Sequence, residues 1–241
     1  MFRHQGKTRT LYHNLRIASL LSFIAGIVNV VGFFAVQRLT TNVTGHFAYF
    51  MDEFVKLNFG QGLVYFLYIV FFFLGSFASN FIIESVSRKS ERYMYVVPVV
   101  IESALLFITG TLHAGWVSAH PDTIAFGLLF AMGLQNSLVT TISNAHVRTT
   151  HLTGLFTDLG IELSQYFFYK TREHRQRLVS SMRLRLTIIA FFFTGGIVGG
   201  IAYAGYGLQI LAAAAGILLL GLFYDSLKFR VLLLRRKIKK G

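Results

Sequence analysis

Six long apolar segments, separated by shorter polar stretches, dominate the chain. Each is about 20 residues long, the length that a helix needs to cross the ~30 Å hydrocarbon core of a bilayer. Within lipid each segment must be helical, because open backbone would leave its polar groups unpaired. The pattern therefore predicts an all-α integral membrane protein with six transmembrane helices in a single membrane domain, residues 1–241. The predicted spans are 16–37, 62–85, 95–114, 123–143, 186–205 and 208–227.

A polar hexapeptide occurs twice beside these apolar segments. "TTNVTG" at 40–45 and "TTHLTG" at 149–154 share both initial threonines and the Thr-Gly pair. The similarity extends upstream into the preceding spans, and the shared pattern predicts an internal repeat. The matching upstream pairs are Gly26 with Gly133 and Asn29 with Asn136.

The repeat divides the chain into halves of three predicted spans each, about 16–114 and 123–227. An odd number of spans per half means that the second half enters the membrane with the opposite orientation. Inverted repeats of this kind are common among transporters. The sequence therefore predicts two inverted three-helix repeats.

A short amphipathic segment follows each hexapeptide, at 45–57 and 154–167, with apolar residues at helical spacing. Two interpretations remain open. Each segment is either a helix lying in the membrane interface, or a re-entrant half-helix whose N-terminal end approaches its counterpart near the membrane midplane. Thr44 and Thr153 are the predicted N-caps. The glycine after each threonine allows a close approach to the backbone.

The composition agrees with a membrane protein. Hydrophobic residues make up 54% of the chain, and charged residues only 14%, against roughly 25% in soluble domains. The first apolar segment is too long for a signal peptide and lacks a small-residue cleavage pattern, so a retained span is expected. The chain contains no cysteine, which excludes disulfides, thiol catalysis and thiolate metal ligands.

The net charge of +13 is distributed unevenly. With six alternating spans, every lysine and arginine except Arg38 and Lys56 falls on one side. The positive-inside rule then places both termini in the cytoplasm. The basic tail, 228–241, is expected to meet anionic lipid headgroups. Nucleic acid is not an expected partner, because no base-stacking module accompanies the charge.

Four acidic residues are candidates for an ion or proton pathway. Glu102 is the most interior acid, and an ionisable group in a span is a functional candidate. Glu102 could instead reach the basic rim formed by Arg88, Lys89 and Arg92. Glu53, Asp158 and Glu162 could instead lie on solvated helix faces. No metal set, cofactor motif or hydrolase pattern accompanies them, so an enzyme is not expected. The four candidates are Glu53, Glu102, Asp158 and Glu162.

The chain resembles the YoaK family, six-span bacterial inner-membrane proteins of unknown function, from about residue 16 to 227. The second half carries the more specific motifs, a Gly-x-Gln-Asn stretch and a Val-Arg-Thr-Thr-x-x-Thr-Gly stretch. The resemblance implies a multi-pass protein of the bacterial inner membrane and names no substrate. The matching residues are Gly133, Gln135, Asn136, Val147, Arg148, Thr149, Thr150, Thr153, Gly154, Asp158, Leu159 and Gly160.

The first half departs from the family pattern at two positions. The family usually has Asp where Asn29 stands and Asn where His46 stands. Losing the Asp removes an intramembrane charge, so any family activity that moves protons through that carboxylate should be altered in this chain.

These observations predict a small transporter or channel for a polar or anionic solute. Asn29 and Asn136 could instead only hydrogen-bond neighbouring helices. The alternative function is a non-transporting scaffold or sensor with a basic cytoplasmic face. The expected partners are the lipid bilayer, a small molecule or ion and, in a homo-oligomer, further copies of the chain. The candidate substrate-binding residues are Asn29, Thr41, Thr44, Gly45, His46, Gln135, Asn136, Thr150, Thr153 and Gly154.

Overall fold

The protein is all-helical throughout the residues that its computed structural model describes. These are 10–88, 90, 93–143, 145 and 147–238, with side chains described as far as residue 225. They form nine α-helices: α1 Leu11–Val36, α2 Val43–Val55, α3 Phe59–Ser87, α4 Val96–Thr111, α5 Ala114–Ala119, α6 Pro121–Ser143, α7 Leu152–Phe168, α8 Arg172–Tyr206 and α9 Gln209–Ile238.

Four helices of the described chain, α1, α3, α6 and α8, are long and apolar enough to cross a membrane. The other two predicted spans correspond to shorter apolar helices. Helix α4 has 16 residues, or about 24 Å of helical rise, and the apolar part of α9 is Gln209–Asp225.

Two helix boundaries differ strongly from the sequence prediction, and one short helix was not predicted. Helix α8 starts well before residue 186, because the basic stretch that begins at Arg172 is itself helical. Most of the predicted tail belongs to α9, which continues to Ile238, and 239–241 lie outside the described residues. The short helix α5 has no counterpart in the prediction.

The helices that could span a membrane differ in burial. In α1 and α6 most of the apolar stretch is buried, whereas in α3 and α8 less than a third of it is buried. Phe73, Phe77 and Phe81 of α3 lie four residues apart, on one face, and are 63%, 58% and 60% exposed. A soluble monomer rarely exposes such a continuous apolar surface. Long apolar helices with outward-facing phenylalanines indicate a multi-pass membrane protein.

The upstream glycines of the repeat lie at two helix crossings where backbones come into direct contact. Helix α1 packs most extensively against α8, and α3 against α6. A Cβ atom at Gly26 would lie 2.0 Å from the carbonyl oxygen of Phe192, and one at Gly133 would lie 2.1 Å from that of Phe72. Only glycine fits at both positions, so the two upstream glycines of the repeat are required by packing. Helix α4 packs mainly against α9, α2 against α3, and α7 against α8.

Candidate functional site

The first motif folds back along the helix that precedes it. Gln37, with a φ of 53°, ends α1 in the left-handed region and turns the chain. The hydroxyl of Thr40 donates to the carbonyl oxygen of Val28 at 3.0 Å. Because Val28 lies about 12 Å before the end of α1 by helical rise, the motif returns into the interior as an extended segment. The hydroxyl of Thr41 then donates to the Asn29 side-chain oxygen at 2.6 Å.

The second motif folds back along α6 in a similar way. Ala145, with a φ of 62°, supplies the left-handed residue after the helix. The hydroxyl of Thr149 donates to the Asn136 side-chain oxygen at 3.3 Å. The Gln135 amide donates to the same Thr149 oxygen at 3.1 Å and to the carbonyl oxygen of Leu21 in α1 at 3.0 Å. The two motifs therefore make similar contacts with the asparagine of the preceding helix. The partner of Asn29 is the second threonine of its motif, Thr41, whereas the partner of Asn136 is the first threonine of its motif, Thr149.

The N-caps of the two following helices differ from the prediction. Asn42 caps α2, and its side-chain oxygen accepts a hydrogen bond from the Gly45 backbone at 3.0 Å. His151 occupies the N-cap position of α7 without a side-chain cap bond. The predicted caps, Thr44 and Thr153, were wrong. They lie in the first turn of each helix, because both helices start two residues earlier than an N-cap at those positions requires.

The motif glycines allow the close approach that the sequence predicts. A Cβ atom at Gly45 would lie 2.5 Å from the Leu39 side chain, and one at Gly154 would lie 2.2 Å from the His151 ring. Leu39 precedes the first motif and His151 lies within the second, so in each case a side chain nearby in sequence packs against the first turn of the following helix.

The two motifs line one cavity of about 760 Å³, called the central cavity here. Its walls come from α1, α3, α6 and α8 as well as from both motifs, and the first turns of α2 and α7 reach it. The motifs therefore share one interior space. Six of the predicted substrate-binding residues line it: Asn29, Thr41, Thr44, Asn136, Thr150 and Thr153.

The other four predicted substrate-binding residues lie outside this lining. The ring of His46 is buried, with its centroid 4.6 Å from that of Tyr68, and its Nε2 contacts the carbonyl oxygen of Leu39. Gln135 is fully buried, and its amide donates a hydrogen bond to Thr149 of the second motif. Gly45 belongs to the capping turn of α2, and Gly154 lines a neighbouring cavity.

Further polar residues of the central cavity were missed by the sequence analysis. Ser137, Thr140 and Thr141 lie at helical spacing on the same side of α6 as Asn136. This spacing could have identified them from the sequence as residues on the same face as Asn136. Ser76 and Asn80 lie four residues apart within an otherwise apolar helix. The missed residues are Asn42, Ser76, Asn80, Ser137, Thr140, Thr141, Arg148 and His151.

Glu102 is fully buried, and neither of its carboxylate oxygens has a hydrogen-bond partner within the described part of the chain. It lines neither cavity. This burial does not favour the alternative in which Glu102 reaches a basic rim, although Lys89 and Arg92 lie outside the described residues.

The remaining candidate acids make hydrogen bonds to neighbouring side chains. Asp158 and Glu162 of α7 both accept from Arg185 of α8, at 2.7 Å and 2.9 Å. Glu53 of α2 accepts from the Asn58 amide at 2.7 Å. These contacts fasten α7 to α8 and join α2 to the start of α3.

A second cavity of about 1150 Å³ lies at one end of the helix bundle. It is lined by Leu11 at the start of α1, Ser143 at the end of α6 and Asp158 of α7. Arg148 and His151 line both this second cavity and the central cavity, so the two spaces adjoin at these side chains.

The opposite ends of α1 and α6 are joined by a polar cluster of Arg38, Tyr68 and Asp122. The Arg38 guanidinium donates to the Tyr68 hydroxyl at 3.1 Å and to the Asp122 carboxylate at 3.2 Å. The Tyr68 hydroxyl also donates to Asp122. This cluster connects the end of α1, the middle of α3 and the start of α6.

The fold and the cavity define a helical multi-pass membrane protein whose interior polar space is lined by two related motifs. The model of the family "Protein of unknown function (DUF1275)" matches residues 17–224, so the chain belongs to that uncharacterised family. The match carries no name for an activity, and the name YoaK stays a prediction. Neither the curated proteins nor the solved structures include a significant match to the chain.

Proposed function

We propose that the protein is a small transporter or channel of the bacterial inner membrane that moves a small polar or anionic solute. The observation that carries the proposal is the central cavity, which both motifs line. Its volume of about 760 Å³ lies within the range of small-molecule sites, roughly 300–1,000 Å³. Hydroxyl and amide groups dominate its lining, and polar groups that face a cavity within a membrane bundle mark solute pathways.

The matched packing supports two inverted three-helix repeats. The contact of α1 with α8 corresponds, with the halves exchanged, to the contact of α6 with α3, and both crossings depend on glycine. In this arrangement α1, α3, α4, α6, α8 and α9 are the six spans, and α2 and α7 are re-entrant half-helices. The bilayer accommodates the short α4 by local thinning. The distribution of the basic residues supports a cytoplasmic position for both termini.

The functional test removes one hydroxyl from each motif. The solute is identified by comparing metabolite uptake in cells with and without the protein, and its flux is then measured in proteoliposomes. The Thr44→Val, Thr153→Val double variant should reduce this flux about tenfold, because two hydrogen bonds to the solute are lost. The matched control is the Thr187→Val, Thr194→Val double variant. These two α8 hydroxyls donate to carbonyl oxygens of their own helix and line neither cavity.

Unchanged flux in the Thr44→Val, Thr153→Val double variant would contradict the proposal. If deletion of residues 228–241 then abolished the cellular phenotype, the scaffold or sensor alternative would be favoured instead.

The position of the motifs has its own test, which uses the absence of cysteine from the natural chain. Thr44→Cys and Thr153→Cys are made in separate variants. A bulky membrane-impermeant thiol reagent should label both from the same side of the membrane, because both residues line the same cavity. Rapid labelling of each from its own side of the membrane would show two interfacial helices and exclude a shared central site.

A further inference from the structure

Arg148 is held where the two cavities adjoin. Its neighbours in sequence, Val147 and Thr149, are both fully buried. The Val147 backbone N–H donates to the Ser143 hydroxyl at 2.9 Å, and Thr149 is held by Gln135. The backbone on both sides of Arg148 is therefore anchored, while its side chain is exposed and lines both cavities.

The charge of Arg148 is not neutralised by the described residues. None of the described residues that line the central cavity is a carboxylate, and Arg148 is their only lysine or arginine. It forms no ion pair in the described part of the chain.

The acids of the second cavity are already occupied. Asp158 shares Arg185 with Glu162, at 2.7 Å and 2.9 Å, and Glu173 pairs with Arg177 at 2.6 Å, so the ion pairs of these acids are made with arginines other than Arg148. Among the described residues that line the central cavity, Arg148 is therefore a positive charge without a carboxylate partner, and it lies at the junction with the second cavity.

We propose that Arg148 forms an anion-binding subsite at this junction, which takes a small solute bearing a carboxylate or phosphate group. This inference rests on the proposed function and narrows its solute to an anion. A guanidinium presents paired N–H donors that match the oxygens of either group. The first turns of α2 and α7 also line the cavity, and the positive ends of both helices add to the attraction. The hydroxyl and amide groups around Arg148 would bind the uncharged part of the solute.

The test measures the electrostatic preference of the cavity without knowing the natural solute. Ser137 lines the central cavity, and Ser137→Cys introduces a single thiol into a cysteine-free chain with little change of shape. Purified protein in nanodiscs of zwitterionic lipid is treated with 2-sulfonatoethyl or 2-trimethylammonioethyl methanethiosulfonate. Each rate is divided by the rate of the same reagent with a free thiol.

The normalised rate should be higher for the anionic reagent. Adding Arg148→Gln should lower the anion-to-cation rate ratio about tenfold, because a nearby unit charge changes the two rates in opposite directions. Arg148→Lys keeps the charge and should largely keep the ratio, which separates loss of charge from loss of folding. Arg177→Gln is the matched control: it lines the second cavity, pairs with Glu173 and should leave the ratio unchanged.

A preference for the cationic reagent, or a ratio that Arg148→Gln leaves unchanged, would overturn the anion subsite and leave the proposed transport function standing. No reaction of Ser137→Cys with either reagent would show that small solutes do not reach the cavity, and would overturn both proposals.

Discussion

At the scale of single residues, Glu102 is the side chain that the fold explains least. It is completely buried in α4, and its two carboxylate oxygens have no partner among the described residues. Burying an unpaired polar group costs free energy, and removing it can stabilise a protein. Its assignment to an ion or proton pathway remains a prediction. Because Glu102 is fully buried, replacing it should change the stability of the protein measurably, which allows a test.

Glu102→Met should raise the stability of the protein by about 1 kcal/mol, because an apolar side chain of similar length replaces an unsatisfied one. The measurement is thermal unfolding in detergent micelles. Glu173→Met is the control, since Glu173 is exposed and makes only a surface ion pair with Arg177, which contributes little. A loss of stability would show that the carboxyl has a partner. Stabilisation together with lost transport would identify a group retained for function.

At the scale of elements, the helix crossings at glycine position the central cavity. Gly26 and Gly133 bring α1 onto α8 and α6 onto α3. Each glycine lies one turn before an asparagine that lines the cavity, Asn29 or Asn136. The crossing points thus determine where these amides lie relative to the facing helices.

Gly133→Ala should destabilise the protein by about 1–3 kcal/mol, since its Cβ would overlap the backbone of α3 and separate the helices. The control lies in the same helix. Gly127 has open space at its Cβ position, so Gly127→Ala should stabilise the protein by roughly 0.5–1 kcal/mol through helix propensity. Both are measured by thermal unfolding. Equal effects at the two positions would contradict the direct backbone contact of α6 with α3.

At the scale of the whole molecule, the two ends of the bundle differ. At one end Arg38, Tyr68 and Asp122 connect the ends of α1 and α6 with α3. At the other end the second cavity is lined by residues from the start of α1 and the end of α6 and adjoins the central cavity at Arg148. One end of the bundle is therefore bridged by side-chain hydrogen bonds, whereas a cavity lies at the other end.

Asp122→Asn should weaken this cluster and open its end of the bundle. In the Thr44→Cys background, reaction with the impermeant thiol reagent applied from the Arg38 side should become about fivefold faster, since one charged hydrogen bond is weakened. Asp52→Asn is the control, because Asp52 forms an exposed ion pair with Lys56. Unchanged labelling in the Asp122→Asn variant would show that the cluster does not limit access.

Much of the candidate site was predictable, and the missing part has a physical reason. Asn29 and Asn136 were identified because each is a polar residue inside an apolar span and the two match across the repeat. Arg148 was noted as part of the Val-Arg-Thr-Thr motif and of a basic cytoplasmic stretch, but it was not among the predicted site residues. Its role depends on the turn at Ala145 and on the distant helices that complete the cavity, and no local pattern encodes them. The N-caps were misplaced by two residues because several residues in each motif can cap a helix.

The sequence by itself determined the helical class, the membrane character and the duplication of the motif. Hydropathy, residue periodicity and repetition are properties of short stretches, so they can be read without a fold. Only the tertiary structure decided that both motifs line one cavity, that His46 and Gln135 are buried outside its lining, and that Arg148 joins it to a second cavity. These relationships depend on which helices cross at glycine, and such crossings bring Gly26 to Phe192 and Gly133 to Phe72, residues that are far apart in the sequence.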